Sequence, residues 1–458
     1  MDAKKPSVLD VDQPDDEKLS QHSHHEGIQT SSIIIDPDAE KKLIRKIDIR
    51  LIPILCLLLL CAFVDRINIG NARIQGLEAS LNMTGNDYST ALYTFFITYV
   101  LFEVPCNMLL KRIRPSAFLS AIIGCCGVVT IGQGVTASFA GLIVCRVLIG
   151  FFEAGFVPGC IYLISMYYKR HELQRRINLF YATSILAGAF SGFLAYAIAH
   201  MEGIATFFIA VGSYFIIPDW PDTAKFLTVE EREMLLHRLA IDTPDSDMTH
   251  LDKKAARRIF GDLKIWLGAF MYLGIVTSTH VDPIYIAAAV VTLIAAILSD
   301  KLRHRFSFVI AGCLTCTIGY AVLLSMLSVP VGARYFALYM ITCGCWLAQP
   351  ITVVWLNNDL GGHYKRGIGA AIQLSIGNCS GVVASNIFLT SQAPTYHLGY
   401  GMGLGFVCMC GITAVAFLFL VRRENAIRER GGRDDRYDLP EKERGNLGDD
   451  HPRCRFTY

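Results

Sequence analysis

The sequence predicts an all-α, multi-pass membrane protein of twelve spans, six before and six after a charged middle loop. Composition is the first of three observations behind this. Of 458 residues, 53% are hydrophobic and only 18% charged, where soluble domains run at about 45–50% and about 25%. Segregation is the second. Most of the charge sits in residues 1–50, 218–264 and 422–458, which leaves two apolar blocks, 51–217 and 265–421. The third is rhythm. Short basic clusters cut each block every ~25–30 residues, and a bilayer-spanning helix needs about 20 apolar residues. A soluble enzyme, a disordered scaffold and a nucleic-acid binder are thereby excluded as main readings. The net charge of +2 also offers no basic field to a nucleic acid.

Residues 1–38 are rich in Asp, Ser, His and Pro and read as a disordered tail. From Glu40 to Arg50, basic and apolar residues alternate at helical spacing. This predicts an amphipathic segment on the membrane surface that leads into the first span. No cleavable signal peptide is visible, and the apolar run from Leu51 is expected to act as an uncleaved signal-anchor. Spans are predicted near 51–70, 88–110, 116–135, 139–161, 178–199, 204–217, 265–279, 284–299, 307–328, 333–357, 367–391 and 403–421. One set of connections carries Lys111, Arg112 and Arg114, then Lys169, Arg170, Arg175 and Arg176, the middle loop, Lys301, Arg303 and Arg305, and finally Lys365 and Arg366. The other set holds only Arg73 and Arg334. By the positive-inside rule, both tails and the middle loop face the cytoplasm. Within that loop, E-E-R-E-M-L-L-H-R-L at 230–239 predicts a helix outside the bilayer. All but Cys454 of the fifteen Cys lie in apolar segments and read as small apolar residues, with no metal site expected.

Two places are short. The sixth span, 204–217, offers only ~21 Å of helix, against about 30 Å of hydrocarbon. Residues 265–299 must supply both the seventh and eighth spans, with His280, Asp282 and Pro283 between them.

An ionisable group at mid-bilayer costs at least about 2.5–3.5 kcal/mol, so it usually faces a cavity, a partner or a task. Five occur, all in the first half. Asp65 and Arg66 lie in the first predicted span, Glu103 in the second, Arg146 and Glu153 in the fourth. Arg146 and Glu153 stand two helical turns apart on one face, with Gly150 between them, as in a helix that lines a polar cavity. On one reading, Arg146 or Arg66 attracts an anionic substrate while Asp65 or Glu153 takes a coupling proton. On the other, these charges only pair with each other to hold helices together. Glu103, nearer the cluster of Lys111 and Arg112, reads as a structural or gating link. The second half has no central charge. It offers Gln349, Trp355, Asn357 and Asn358 in the tenth span, and Gln373, Ser380 and Asn386 in the eleventh. Gln373, Gly377 and Ser380 share one face. These groups suit either hydrogen-bond selectivity toward a substrate or ordinary glue between helices.

S-D-K-L-R-H-R at 299–305 sets Asp300 at a helix end, just before Lys301 and Arg303. Such a link can lock one conformation and break in another, or the cations can serve topology alone. K-R-I-R-P-S at 111–116 repeats the cations without the acid, a weak sign of internal duplication. No phosphate-cradling loop, zinc-protease motif or nucleophile triad occurs. No enzyme, catalytic residue, cofactor or ATP-driven pump is therefore expected.

Several stretches together resemble a known family. They are F-V-D-R-I-N-I-G-N-A at 63–72, L-F-E-V-P-C-N-M-L-L-K-R at 101–112, C-R-V-L-I-G-F-F-E-A-G-F-V-P-G at 145–159, H-E-L-Q-R-R at 171–176, P-D-T-A-K-F-L at 221–227 and G-H-Y-K-R-G-I-G at 362–369. Over most of residues 45–425 the chain resembles a fungal member of the major facilitator superfamily. The group it resembles is that of anion:cation symporters, with allantoate permeases and nicotinic acid transporters. That resemblance implies two six-helix bundles, 51–217 and 265–421, that alternate access by rocking, and proton-linked import of a small organic anion. Arg146 matches the superfamily's fourth-span motif, and Asp300 the acid of its loop motif. The chain departs from the pattern at the two short places. A W-R-W-like segment is missing after Ile204, and much of the seventh span after Ser278.

The expectation is thus a secondary transporter for a carboxylate vitamin or nitrogen source, such as nicotinate or allantoate, in the fungal plasma membrane. Its partners would be the bilayer, the anion and H+, with no nucleic acid and no obligate protein partner. Substrate contacts are expected from Arg66, Arg146, Gln349, Trp355, Asn358 and Gln373, and proton coupling from Asp65 or Glu153. Gating or structural links are expected from Glu103, Lys111, Arg112, Asp300 and Arg303. Two other readings stay open on the residues alone. One is a non-transporting sensor or an inactive, truncated paralogue or gene model; the other is an exporter of secondary metabolites.

Overall fold

The computed structural model describes residues 36–458 except 85, 170–171, 199–203, 243–252, 279–289, 293, 296–297, 300–301, 303, 388–394, 441–442 and 444–446. The expected disordered tail falls almost wholly outside these residues. The described chain is helical, with no strand among the described residues. Its helices are α1 (Pro37–Ile74), α2 (Leu77–Ser80), α3 (Asp87–Leu110), α4 (Pro115–Gly134), α5 (Phe139–Glu153), α6 (Phe156–Tyr167), α7 (Leu173–Ile198) and α8 (Ile204–Ile216). There follow α9 (Val229–Asp242), α10 (Lys253–Phe260), α11 (Leu263–Ser278), α12 (Arg305–Leu324), α13 (Val331–Asp359), α14 (His363–Ile387) and α15 (His397–Glu429). Residues 43–458 form one compact unit.

Eleven of the predicted spans coincide with these helices, and the eighth, 284–299, lies largely outside the described residues. The agreement has a simple cause. Hydropathy measures how much each segment gains by leaving water, and in a membrane every backbone group of that segment must then bond within its own helix. Local signals place the ends. Pro115 sits at the first turn of α4, where its missing N–H is no loss. Ser138 caps α5 by accepting from the Gly141 N–H at 3.2 Å. The fourth predicted span is built from α5 and α6 in sequence, with a break at Ala154 and Gly155. In the middle loop the predicted helix is α9. It opens with a reciprocal cap in which Thr228 Oγ1 accepts from the Glu231 N–H and Glu231 Oε2 accepts from the Thr228 N–H.

Three features add detail to the expectation. The amphipathic stretch 40–50 lies within α1, which runs on into the first span. There Asp48 pairs with Arg176 at 2.9 Å and accepts from the Tyr168 hydroxyl at 2.7 Å. The seventh span is preceded by α10, which meets α11 at a bend of 44°. Among the described residues, eight helical stretches are long and apolar enough to cross a membrane, or nine if the α10–α11 pair counts as one. The described residues after α15 fold back on the bundle. Arg305 N donates to Tyr458 O, and Asn425 bonds the backbone of Phe456 through both its Oδ1 and its Nδ2.

Packing within the first half joins α3 to α5 and α4 to α8. The short α8 still holds to α4 through a Ser120–Ser213 hydroxyl pair at 2.8 Å. A Cβ added at Gly150 would stand 2.5 Å from Phe95 O, so α3 and α5 touch there only because Gly has no side chain. In the second half, α12 lies along α13, and α11 lies against α14 and α15. Among the described residues, contacts that cross between the halves include α3 with α14, α6 with α14, and α7 with α13.

Candidate functional site

Helices of both halves enclose a cavity of about 560 Å³, within the usual range of small-molecule sites, about 300–1,000 Å³. Its polar lining comes from Arg66 on α1, Tyr99 on α3, Arg146 on α5, Tyr181 on α7, Tyr272 on α11, Gln349 on α13 and Asn378 on α14. Phe63, Phe95, Phe96 and Trp346 supply much of the apolar wall.

The charges divide unequally. Arg66 Nη2 meets Glu153 Oε1 at 2.5 Å, and both side chains are largely buried. The same guanidinium lies 4.9, 5.0 and 5.4 Å from the ring centres of Phe63, Phe95 and Tyr99, close enough for cation–π attraction. Arg146 is only 2% exposed. It forms no ion pair among the described residues, and its Nε and Nη2 have no hydrogen-bond partner there. The indole N–H of Trp346, on the same cavity, also lacks one. Leaving a buried donor unmet costs about 1–3 kcal/mol. These donors define where an acceptor-rich ligand would gain most. Asp65 is buried next to Arg66 in α1 but is not on the cavity wall.

The cavity has a floor. The hydroxyls of Tyr181 and Tyr272 meet at 3.3 Å, and Gln349 Nε2 donates to the Tyr272 hydroxyl at 3.3 Å. Beyond that floor, toward the end of the bundle where residues 422–458 lie, α3 and α14 are joined directly. Asn378 Nδ2 donates to Glu103 Oε2 at 3.4 Å, and Asn107 Nδ2 donates to Gly367 O at 2.7 Å. Lys111 Nζ lies 4.0 Å from the ring centre of Tyr364 and 5.2 Å from that of Tyr162. These contacts join the two halves between α3 and α14.

The sequence-predicted residues therefore scatter in an informative way. Arg66, Arg146 and Gln349 reach the cavity, and Glu153 reaches it through Arg66. Glu103 and Lys111 stand where α3 meets α14, while Arg112 is exposed. Trp355, Asn358 and Gln373 are buried away from the cavity wall. Trp355 Nε1 donates to Thr457 O at 3.1 Å. Gln373 Nε2 donates to the carbonyls of Gly268 and Thr352 at 3.2 and 3.1 Å. Asp300 and Arg303 lie outside the described residues. Sequence reasoning passed over Tyr99, Tyr181, Tyr272, Trp346 and Asn378. Only Asn378 had a signal, one residue around the helix from the polar face of Gln373, Gly377 and Ser380. The aromatics had none, because lipid-facing and cavity-facing rings look alike in a string.

A model of the Major Facilitator Superfamily matches residues 55–417. The chain belongs to that superfamily. Its members are transporters rather than enzymes, and this chain is a multi-pass membrane transporter of the superfamily's fold. An uncharacterised transporter of Schizosaccharomyces pombe is 32% identical, over 92% of this chain and 91% of its own length. The high-affinity nicotinic acid transporter of Saccharomyces cerevisiae is 30% identical, over 92% of this chain and 85% of its own. Among solved structures, the proton:xylose symporter XylE superposes with a TM-score of 0.64 at 13% identity, covering 82% of this chain and 95% of that one. At that identity the likeness concerns the fold alone.

Proposed function

We propose that this chain is a proton-coupled importer of a small organic anion, a carboxylate vitamin or nitrogen source of the size of nicotinate or allantoate. One observation carries the reading: the Arg146 guanidinium is buried at the cavity with two nitrogens unmet among the described residues, while Arg66 beside it is already neutralised by Glu153. A carboxylate supplies two acceptors in the geometry of a guanidinium fork, and the Trp346 N–H offers a third donor. The ring-rich wall suits a planar ligand. The relative that carries nicotinic acid transports a compact anion of this kind.

Coupling follows from the ion pair. While Glu153 is charged it holds Arg66 and repels a second anion. A proton on Glu153 releases Arg66 to join Arg146, so the anion and the proton bind together and the pair adds no net charge to the site. Asp65 is the second carboxylate for this role. Access alternates by rocking of 51–217 against 265–421, during which Glu103, Asn107 and Lys111 part from α14. Asp300 and Arg303 would brace the corresponding place of the second half, while Trp355, Asn358 and Gln373 act indirectly, by setting α13 and α14. Residues 218–264 and both tails face the cytoplasm, and the plasma membrane is the site of action.

The test is uptake of labelled nicotinate and a panel of small carboxylates into vesicles with an inward proton gradient. Uptake is expected to follow the gradient and to collapse with an uncoupler. Arg146→Gln, inserted in equal amount, is expected to lower uptake about 100-fold, the loss of roughly 2.7 kcal/mol of anion binding. Unchanged uptake in that variant would remove the anion role, and a flat pH response would remove the coupling.

A further inference from the structure

A second cavity, of about 290 Å³, lies at the tail end of the second half and shares no lining residue with the first. It is walled by α10, the start of α11, Lys365 of α14, the end of α15 and part of the tail. Six cations line it: Arg257, Arg258, Lys264, Lys365, Arg428 and Arg433. Four of them are paired. Lys365 meets Asp262 at 2.7 Å and Asp449 at 2.8 Å, and Lys264 also pairs with Asp449. Arg433 and Arg428 both meet Glu424, at 2.9 and 3.3 Å. Arg257 and Arg258, at the last turn of α10, form no ion pair among the described residues. The lining carboxylates, with Asp449 behind them, leave an excess of positive charge, and it is concentrated on these two guanidinium groups.

The surroundings say what kind of anion could reach them. α10 is strongly amphipathic, burying Ala255 and Ile259 and leading with a sharp bend into the apolar α11. Beside the cavity mouth, Phe260, Leu263 and Trp266 are 50%, 55% and 38% exposed. The Trp266 indole donates to Phe260 O at 2.8 Å, which ties the two helices at their junction. Exposed aromatic and aliphatic side chains next to arginines, at the end of a span, are the composition of a membrane–water boundary. Basic pockets between helix ends at that depth suit lipid headgroups.

We propose that this cavity is a phosphate site, filled by the headgroup of an anionic membrane lipid whose acyl chains lie along Leu263 and Trp266. Arg257 and Arg258 bind the phosphate oxygens through their forks, while Lys264 and Lys365 stay held by Asp262 and Asp449 and form the back wall. A lipid seated there bridges α10, α14 and α15 at their tail ends.

The experiment is native mass spectrometry of the full-length protein in detergent, with phosphatidylinositol or phosphatidylserine set against phosphatidylcholine. Wild type is expected to retain the anionic lipids about tenfold better than phosphatidylcholine. The double variant Arg257→Gln with Arg258→Gln should lose that preference. Lys253→Gln with Lys254→Gln, the same charge loss on the same helix away from the cavity lining, should keep it within about twofold. Arg257→Lys with Arg258→Lys, which keeps the charge and removes the fork, should fall between them and guards against a folding defect. Added inorganic phosphate separates the two sources of the group. No competition supports the lipid, and displacement of the lipid at millimolar phosphate supports a soluble phosphate in the same site. Equal loss in the arginine and lysine variants, or wild-type retention in the arginine variant, would overturn the proposal.

Discussion

At Arg146 the chain accepts a cost that a purely structural residue would avoid. The side chain is buried, and two of its nitrogens have no hydrogen-bond partner among the described residues. Arg66, in contrast, has both a carboxylate and three rings around it. The pair Arg66–Glu153 is therefore the element that a proton can change. Glu153→Gln imitates the protonated carboxyl and is expected to leave anion binding strong but nearly independent of pH. In wild type, binding should rise as pH falls, because the protonated form is the one that frees Arg66. Equilibrium binding of a labelled carboxylate between about pH 5 and about pH 8 reads this directly. A variant that keeps the full wild-type pH response would assign the proton elsewhere, with Asp65 the next candidate.

Between elements, much of the candidate site was legible before any coordinates, and the misses have a geometric cause. The spans follow hydropathy, and the charge pattern drew attention to α1, α3 and α5. For α14 the polar face of Gln373, Gly377 and Ser380 was visible, yet the cavity takes Leu374, Asn378 and Gly381 instead. One residue is a rotation of about 100°, and amphipathicity inside a membrane protein does not say which neighbour a polar face meets. Gln373 turns toward α11 and α13 and bonds their carbonyls. The C-terminal segment is the larger surprise. It was expected only as a charged tail, but Asp449 is 1% exposed and bridges Lys264 of α11 to Lys365 of α14. Burial alone would raise the pKa of Asp449; the two ammonium groups override it and hold the carboxyl well below the usual carboxylate range. Its folded value being depressed, this link contributes fully above the unfolded value of about 3.9 and fades only as pH falls below that. Asp449→Asn leaves two buried cations short of a partner and is expected to cost about 3 kcal/mol at neutral pH. A thermal melt in detergent would register this as a clear drop in midpoint, and an unchanged midpoint would mean that the tail segment is not part of the fold's stability.

For the molecule as a whole, the first of the two short places remains short. The helix α8 has 13 residues, or ~20 Å at the helical rise, and residues 279–289 lie outside the described residues. The fold nevertheless closes around a cavity with both halves contributing, joined at one end by Tyr181–Tyr272, Glu103–Asn378 and Asn107–Gly367. If the basic clusters set the orientation, the end where Lys111 and Lys365 lie is the cytoplasmic one. An epitope joined after Tyr458 should then be hidden in intact cells and exposed on permeabilisation; labelling of intact cells would invert the topology and with it the direction of the cavity.

Hydropathy and charge spacing were enough for most of the helical spans, the membrane class and the ionisable residues inside the first-half spans. Each of these depends on the transfer free energy of a contiguous stretch of chain, which is a local quantity. Which arginine is neutralised, which face of α14 meets the cavity and where the tail docks depend on partners far away in sequence: Arg66 and Glu153 are 87 residues apart, and Lys264 and Asp449 are 185. Such pairings are chosen by how the helices pack against one another, since only packing brings a given pair of buried charges within reach and strips the water from both.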